Sequence, residues 1–122
     1  MKITHFRDLD CWKKARELVR VVYHATGKAP FKYDLGLKDQ IQRSSVSVMA
    51  NIAEGFGARS NTEFARFLGI ATRSASEVQS HLYVALDVGY LKHEDMASME
   101  ILCVDCISLC KGLIRYLRSR GA

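Results

Sequence analysis

The sequence predicts an all-α protein, an antiparallel up-down four-helix bundle formed by a single domain over residues 1–122. Three observations support this fold. Apolar residues recur every three or four positions through most of the chain, as on one face of a helix. Glycines and the single proline, Pro30, divide the chain into four such segments. No segment alternates apolar and polar residues between turn pairs, as a half-buried strand would.

The segment ends carry recognisable start and stop signals. Asp8 is placed to cap the first helix, and Gly27 is placed to end it. Ser60 and Glu63 have the spacing of a capping box, in which each side chain satisfies a free amide of the other residue. Gly89 suits a left-handed cap at the end of the third helix. We therefore expect helices over about residues 9–26, 37–54, 61–88 and 94–118.

The last two segments predict both a bundle core and an association surface. One seam of the third helix consists of Phe64, Leu68, Ala71, Ala75, Val78, Leu82 and Ala85. The matching seam of the fourth helix consists of Met99, Leu102, Cys106, Leu109, Leu113 and Tyr116. The fourth helix has a second apolar face, formed by Ile101, Val104, Ile107 and Ile114. Because one bundle core needs only one apolar stripe, the second predicts contact with another copy of the chain.

Composition indicates a globular, basic protein. The 122 residues are 48% hydrophobic and carry 18 lysines and arginines against 13 acidic residues, a formal charge of +5. This excludes disordered and low-complexity classes. No apolar run approaches the roughly 20 residues of a membrane span, and the N-terminus lacks the apolar stretch of a secretory signal. We therefore expect a cytoplasmic protein without a membrane partner.

The cysteines predict core packing and no metal site. Cys103, Cys106 and Cys110 lie on one face of the fourth helix among aliphatic residues, where free cysteine packs as a small hydrophobe. No second cluster of cysteine or histidine could complete a metal site, and Cys11 is expected to be an isolated thiol. Nucleophile elbows, phosphate loops and paired metal-ligand spacings are also missing. We expect no catalytic residues, no cofactor and no enzyme activity.

The second helix carries a narrow polar stripe on an otherwise apolar circumference, formed by Gln40, Arg43, Ser47, Asn51 and Glu54. Its candidate partners on the third helix are Glu63, Arg73 and Glu77. Buried charge is tolerated only when it is paired and hydrogen-bonded. The stripe is either a structural network that fixes the helix register or a subunit interface, or it is a recognition or catalytic pocket. We favour the structural interpretation.

Positive charge is concentrated at the N-terminal end. Residues 1–32 hold eight lysines and arginines against three acidic residues. The candidate contacts to RNA or DNA in this part are Lys13, Lys14, Arg16, Arg20 and Lys28. A second group follows the acidic residues of the fourth helix: Lys111, Arg115, Arg118 and Arg120. The order of charge in that helix also complements its dipole, whereas the first helix has no such explanation.

Several blocks together resemble a known family. They are Leu9-x-x-Trp12-x-x-Ala15, Gly36-Leu37-x-x-Gln40-x-x-Arg43, Val46-Ser47-Val48-x-x-Asn51-Ile52-Ala53-Glu54-Gly55, Glu63-Phe64-x-x-Phe67-Leu68-x-Ile70-Ala71 and Gly89-Tyr90-Leu91. This order resembles the four-helix bundle family of proteins encoded in intervening sequences of bacterial 23S rRNA genes. The resemblance implies a bacterial homopentamer with a nucleic-acid-associated role. A related branch serves as the accessory protein of a reverse transcriptase in diversity-generating retroelements.

Two functions follow from these observations. The first is a non-enzymatic homo-oligomer that binds RNA or DNA backbone through its basic surface. The second is a protein-interaction adaptor for a nucleic-acid enzyme such as a reverse transcriptase. Aromatic stacking on bases is not expected, because most aromatic residues fall on predicted core positions.

Overall fold

The computed structural model describes residues 2–121, which form four α-helices and no β-strand. The helices are α1 (Asp10–Thr26), α2 (Leu35–Phe56), α3 (Asn61–Asp87) and α4 (His93–Ser119). Short 3-10 turns, Phe6–Asp8 and Phe31–Tyr33, precede α1 and α2. Helix α2 packs on α1 and α3, and α4 packs on α3 and α1, around one core. The all-α class is confirmed, and the packing is consistent with a bundle.

Helix α1 begins differently from the prediction. Asp8 is not its cap, because the Asp8 N–H donates to the carbonyl of His5 (3.0 Å) and closes a 3-10 turn. Leu9 takes the N-cap position without a side-chain hydrogen bond to the helix. At the other end, Gly27 follows Thr26 as the predicted stop, with an ordinary negative φ of −82°.

Helix α2 starts at Leu35, because Asp34 caps it with a hydrogen bond from the Leu37 N–H to Oδ1 (3.1 Å). The second carboxylate oxygen of Asp34 accepts a hydrogen bond from the Tyr90 hydroxyl (2.9 Å). This bond to a carboxylate raises the pKa of Tyr90. Asp34 therefore ties the start of α2 to the loop that follows α3.

Both predicted signals at the ends of α3 are present, one of them in part. The Ser60 hydroxyl accepts the Glu63 N–H (3.2 Å), while the Glu63 carboxylate pairs with Arg66. The second half of the capping box is thus replaced by an ion pair, which lowers the pKa of Glu63. Gly89 has a φ of +86°, and the Tyr90 N–H donates to the carbonyl of Ala85 (2.8 Å), as in a Schellman motif.

The core confirms one predicted seam and corrects the other. The α3 seam from Leu68 to Ala85 is buried, with Phe64 packed at its edge. In α4 the predicted seam is wrong at Leu109 and Tyr116, which are exposed. The buried face of α4 consists of Met96, Met99, Cys103, Cys106, Cys110 and Leu117. Small thiols allow α4 to approach its neighbours closely, so its cysteine face turns inward.

The predicted core role of Cys103, Cys106 and Cys110 is confirmed, because all three are fully buried. Burial raises the pKa of Cys103 and of Cys106 to about 12. Cys11 is not isolated. Hydrogen bonding between the thiols of Cys11 and Cys110 lowers the pKa of Cys11 and raises that of Cys110. The sequence does not show this contact, because Cys11 and Cys110 lie on different helices.

Within residues 2–121, none of the four helices combines the length and the apolar character that crossing a bilayer requires.

Candidate nucleic-acid interface

Three cations form a row along the solvent side of α1. Lys13, Arg16 and Arg20 are exposed, and they follow one another at helical steps of three and four residues. The Cβ atoms of neighbours at this spacing lie about 5–6 Å apart. Among residues 2–121 none of the three has a carboxylate within the 4.0 Å of an ion pair. The α1 cation row, as we call Lys13, Arg16 and Arg20, therefore presents positive charge that no carboxylate of residues 2–121 pairs with.

Lys14 has a different environment from the row beside it. Its Nζ lies 3.4 Å from a carboxylate oxygen of Glu17 and 3.9 Å from one of Asp105 on α4. It lies in a groove of about 640 Å³ between α1 and Leu109 of α4, which Asp10, Glu17 and the three cations of the row also line. The α4 side of the row is thus acidic, and Lys14 connects the two helices there.

Aromatic rings lie next to several cations. The Arg16 guanidinium lies over the Trp12 ring, 5.8 Å from its centroid, and Phe6 contacts the same indole edge-on at 5.2 Å. Tyr23, one turn beyond Arg20, is 47% exposed. Tyr33 is 71% exposed, and Lys32 Nζ lies 5.1 Å from its ring centroid.

The expectation that aromatic residues belong to the core holds for the phenylalanines, which are buried or half-buried. It does not hold for most of the tyrosines, since the following are exposed: Tyr23, Tyr33, Tyr83 and Tyr116. Residue type therefore separates the two groups, apart from the half-buried Tyr90. The phenolic hydroxyl lets tyrosine remain in water, where phenylalanine would be withdrawn.

The other candidate cations do not join the row within one chain. Lys111, Arg115, Arg118 and Arg120 are all exposed. Arg118 lies beside Asn61 and Thr62 at the start of α3. Lys111 lies about 200° around α4 from Leu109, the residue that faces the α1 groove. Lys111, Arg115 and Arg118 follow one another at steps of four and three residues, so they share one side of α4, which points away from the α1 groove.

Lys28 lies past the end of α1, on a cavity of about 700 Å³ between α1 and the start of α4. Lys92, Glu94 and Asp95 line the same cavity, so its charge is mixed. Its apolar wall includes Val21, Ala25, Met99 and Leu102.

The polar stripe of α2 faces solvent more than the sequence indicates. The Arg43 side chain is 80% exposed and pairs with Asp39 on its own helix (3.0 Å). Gln40, Glu54, Arg73 and Glu77 are exposed as well, and Glu63 pairs with Arg66. Among the described residues no hydrogen bond or ion pair links the stripe to Glu63, Arg73 or Glu77.

A smaller network does connect α2 to α3. The hydroxyls of Ser47 and Ser74 are 2.9 Å apart, and the Asn51 amide donates to the carbonyl and hydroxyl oxygens of Ser47 (2.8 and 3.0 Å). Sequence reasoning missed Ser74, although its position next to the apolar seam of α3 is a signal for it. It also missed a hydrogen bond from Gln42 to the buried Thr26 hydroxyl (2.9 Å), which joins α2 to α1.

Gly55 marks the closest approach of α2 and α3. A Cβ atom at this position would lie 2.8 Å from Cδ1 of Phe64 and 2.9 Å from Cβ of Phe67. Only glycine allows the two helices to cross at this distance. The asparagine-to-glycine block of α2 thus combines an interhelical hydrogen bond at Asn51 with close packing at Gly55.

Within residues 2–121 no three histidine, cysteine, aspartate or glutamate side chains are grouped so as to hold a metal ion.

Fold and surface together define a small all-helical bundle with a row of unneutralised cations on one helix. The sequence profile of the 23S rRNA-intervening sequence protein family matches residues 7–112. The chain therefore belongs to this family.

A solved structure supports the same assignment. It is the 1.70 Å crystal structure of a protein of unknown function from the S23 ribosomal protein family of Bacteroides thetaiotaomicron. The two chains are 27% identical, with a TM-score of 0.78 over 85% of this chain and 97% of the other. A search of curated proteins finds no significant match.

Proposed function

We propose that the protein binds the phosphate backbone of RNA or DNA through the α1 cation row, as a cytoplasmic, non-enzymatic homo-oligomer. The observation that carries this proposal is the exposure of Lys13, Arg16 and Arg20 on one ridge without carboxylate partners among residues 2–121. A paired cation gains little from a phosphate, because it must first give up its carboxylate. An unpaired, hydrated cation has no such competitor.

Backbone contacts of this kind give affinity without sequence choice. Each one releases condensed counterions from the nucleic acid, so affinity falls as salt concentration rises. A charge of +5 on one chain is modest, and three contacts alone give weak binding. Several copies in one assembly would place several rows on the same polyanion and raise the affinity through avidity.

The surface that supports self-association is the α4 apolar face, which we define as Ile101 and Val104. They are 60% and 50% exposed, whereas Ile107 and Ile114 of the same predicted face pack half-buried against the core. Tyr83 of α3 lies next to this face, since its hydroxyl donates to Glu100 (2.8 Å). Apolar side chains clustered on one exposed face favour a protein contact. The resemblance to the family suggests five copies.

We further infer that neighbouring helices run antiparallel in up-down order. Two contacts support this. Tyr83, late in α3, reaches Glu100, early in α4, and Lys14, early in α1, reaches Asp105 in the middle of α4. The connections between α2 and α3 and between α3 and α4 are short, as antiparallel neighbours require.

The proposal predicts that neutralising one cation of the row changes the salt dependence of binding. Arg16→Gln or Arg20→Gln should lower the slope of log affinity against log salt by about one unit, because one phosphate contact is lost. The measurement is a titration of labelled RNA and of duplex DNA at two salt concentrations. Arg73→Gln is the matched control, since it removes an exposed cation from α3 and should leave the slope unchanged.

The adaptor function makes a different prediction for the same titration. If the true partner is a nucleic-acid enzyme such as a reverse transcriptase, the isolated protein should not bind even at about 50 mM salt, where phosphate contacts are strong. That result would contradict direct binding and would favour docking of the basic face on an acidic protein or on a protein–RNA complex.

A further inference from the structure

We propose that the α1 cation row takes a single-stranded nucleic acid in preference to a duplex, with a base stacked on Tyr23. This inference rests on the proposed function and specifies which form of nucleic acid the same row accepts. Three features of α1 lead to it: the width of the row, the charge on one flank and the exposed ring on the other.

The row is one cation wide. Lys13, Arg16 and Arg20 follow a single ridge, and the rise from the first to the third is about 10 Å. At about 5–6 Å between neighbours, the row fits a succession of phosphates along one strand. A duplex presents two lines of phosphates, separated by a groove about 6 or 12 Å wide, so its second line would fall on a flank of the row.

The flank toward α4 is unfavourable to a second line of phosphates. Asp10, Glu17 and Asp105 supply three carboxylates there, and Lys14 supplies one ammonium group that is already shared by two of them. The cation row lines one wall of this groove, but a phosphate beyond the row would lie next to three carboxylates and one cation that is already paired. The acidic flank therefore disfavours a duplex laid across the row.

The opposite flank, toward α2, carries aromatic rings. Trp12 and Tyr23 are eleven residues apart, which returns them to the same face of α1. Thr26 lies close to this face, one turn after Tyr23, and its hydroxyl contacts Gln42 of α2. Bases of a strand whose phosphates lie on the row would turn toward this flank, away from the carboxylates.

Of these two rings, Tyr23 is the one free to stack. The Trp12 ring already has Arg16 over it and Phe6 at its edge, whereas Tyr23 is 47% exposed and lies one turn beyond Arg20. A base has a π-face whatever its identity, so a tyrosine platform adds affinity without sequence choice. A second exposed tyrosine, Tyr33, lies in the 3-10 turn that precedes α2 and is 71% exposed.

The experiment measures the binding of three labelled nucleic-acid probes that have the same sequence. Each is about 12 nucleotides long, a length within the usual range for single-strand sites. The probes are a DNA strand, an RNA strand and a DNA duplex, and the readout is fluorescence anisotropy at about 50 mM salt. We expect the strands to bind about tenfold more tightly than the duplex, and Tyr23→Ala to remove about tenfold of strand affinity. The two strand arms separate DNA from RNA as the source of the phosphates.

Tyr23→Phe is the matched control, because it keeps the ring and loses only the exposed hydroxyl. It should bind strands as the wild type does, and neither variant should alter duplex binding. Equal affinity for strands and duplex, or equal strand affinity for Tyr23→Ala and Tyr23→Phe, would overturn the stacking inference while leaving backbone binding intact. Absence of binding to all three probes would instead contradict the proposed function itself.

Discussion

At the scale of single residues, the packing of Gly55 explains why one block of the family resemblance ends in glycine. The block Asn51-Ile52-Ala53-Glu54-Gly55 ends where α2 comes so close to α3 that a Cβ atom would meet Phe64 and Phe67. The absence of a side chain, and not backbone freedom, is what this position requires, since the residue is helical. The glycine thus sets the distance between two of the four helices.

Gly55→Ala should lower the free energy of unfolding by about 1–3 kcal/mol, because the added methyl group forces Phe64 or Phe67 to move in a packed site. Urea unfolding followed by circular dichroism measures it. Gly69→Ala is the control, since a Cβ atom at Gly69 in α3 meets nothing within 4 Å. That variant should be neutral or stabilised by up to about 1 kcal/mol through helix propensity. Equal effects of the two substitutions would contradict the packing role of Gly55.

Single-residue contacts between helices were the least predictable part of the molecule. The Ser47–Ser74 and Gln42–Thr26 hydrogen bonds join residues far apart in the chain, and short polar side chains give no periodic signal. Arg43 and Glu63 were predicted on a shared network but pair with Asp39 and Arg66 within their own helices. Each has an oppositely charged residue three or four positions away on its own helix. The sequence does not show whether a charged side chain pairs with such a neighbour or with a residue of another helix.

At the scale of elements, α1 and α4 differ in how well the sequence describes them. Helix α1 has one apolar side and one charged side, so the solvent position of Lys13, Arg16 and Arg20 follows from periodicity alone. Helix α4 is apolar on two sides, and periodicity cannot choose between them. The choice depends on packing: the cysteine face turns inward, and Ile101 and Val104 are left outside.

The buried thiols of α4 predict how stability depends on pH. The pKa of Cys103 and of Cys106 is about 12 in the folded protein, above the ordinary value of 9.0. Between these two values the unfolded chain has lost thiol protons that the folded chain retains. The free energy of unfolding should therefore fall as pH rises above 9, by up to about 1.4 kcal/mol per pH unit for each thiol.

Urea unfolding under reducing conditions at about pH 8 and about pH 10 checks this. The double variant Cys103→Ala, Cys106→Ala is the control, because it removes both titrating groups and keeps small side chains in the core. Its stability should change less over the interval than that of the wild type. An identical pH dependence for the two proteins would show that these thiols do not contribute to it.

At the scale of the whole molecule, the proposed function depends on the association of several copies of the chain. The α1 cation row and the α4 apolar face lie on different helices, so one can face a polyanion while the other is covered by a second chain. Lys111, Arg115 and Arg118 share a side of α4 that points away from the α1 groove, and assembly would decide whether they join a common surface with the α1 cation row. The sequence predicts association from the surplus of apolar residues on α4.

Ile101→Glu should dissociate the assembly, because a carboxylate in an apolar interface loses its hydration without gaining a partner. Sedimentation velocity at micromolar concentration measures the change in mass. Leu35→Glu is the matched control, since Leu35 is also apolar and 71% exposed but lies at the start of α2. If the wild-type protein sediments as a single chain, or if both variants have an equal effect, the α4 apolar face is not an assembly interface.

The most direct test of pooled backbone binding is the salt dependence of strand binding, measured side by side for the wild type and Ile101→Glu. One row of three cations on a single strand corresponds to a slope of about −2. We expect this slope for the dissociated variant and a clearly steeper one for the wild type, in which several rows contact the same polyanion. Equal slopes for the two proteins, or no binding by the wild type at about 50 mM salt, would contradict pooled backbone binding by several copies.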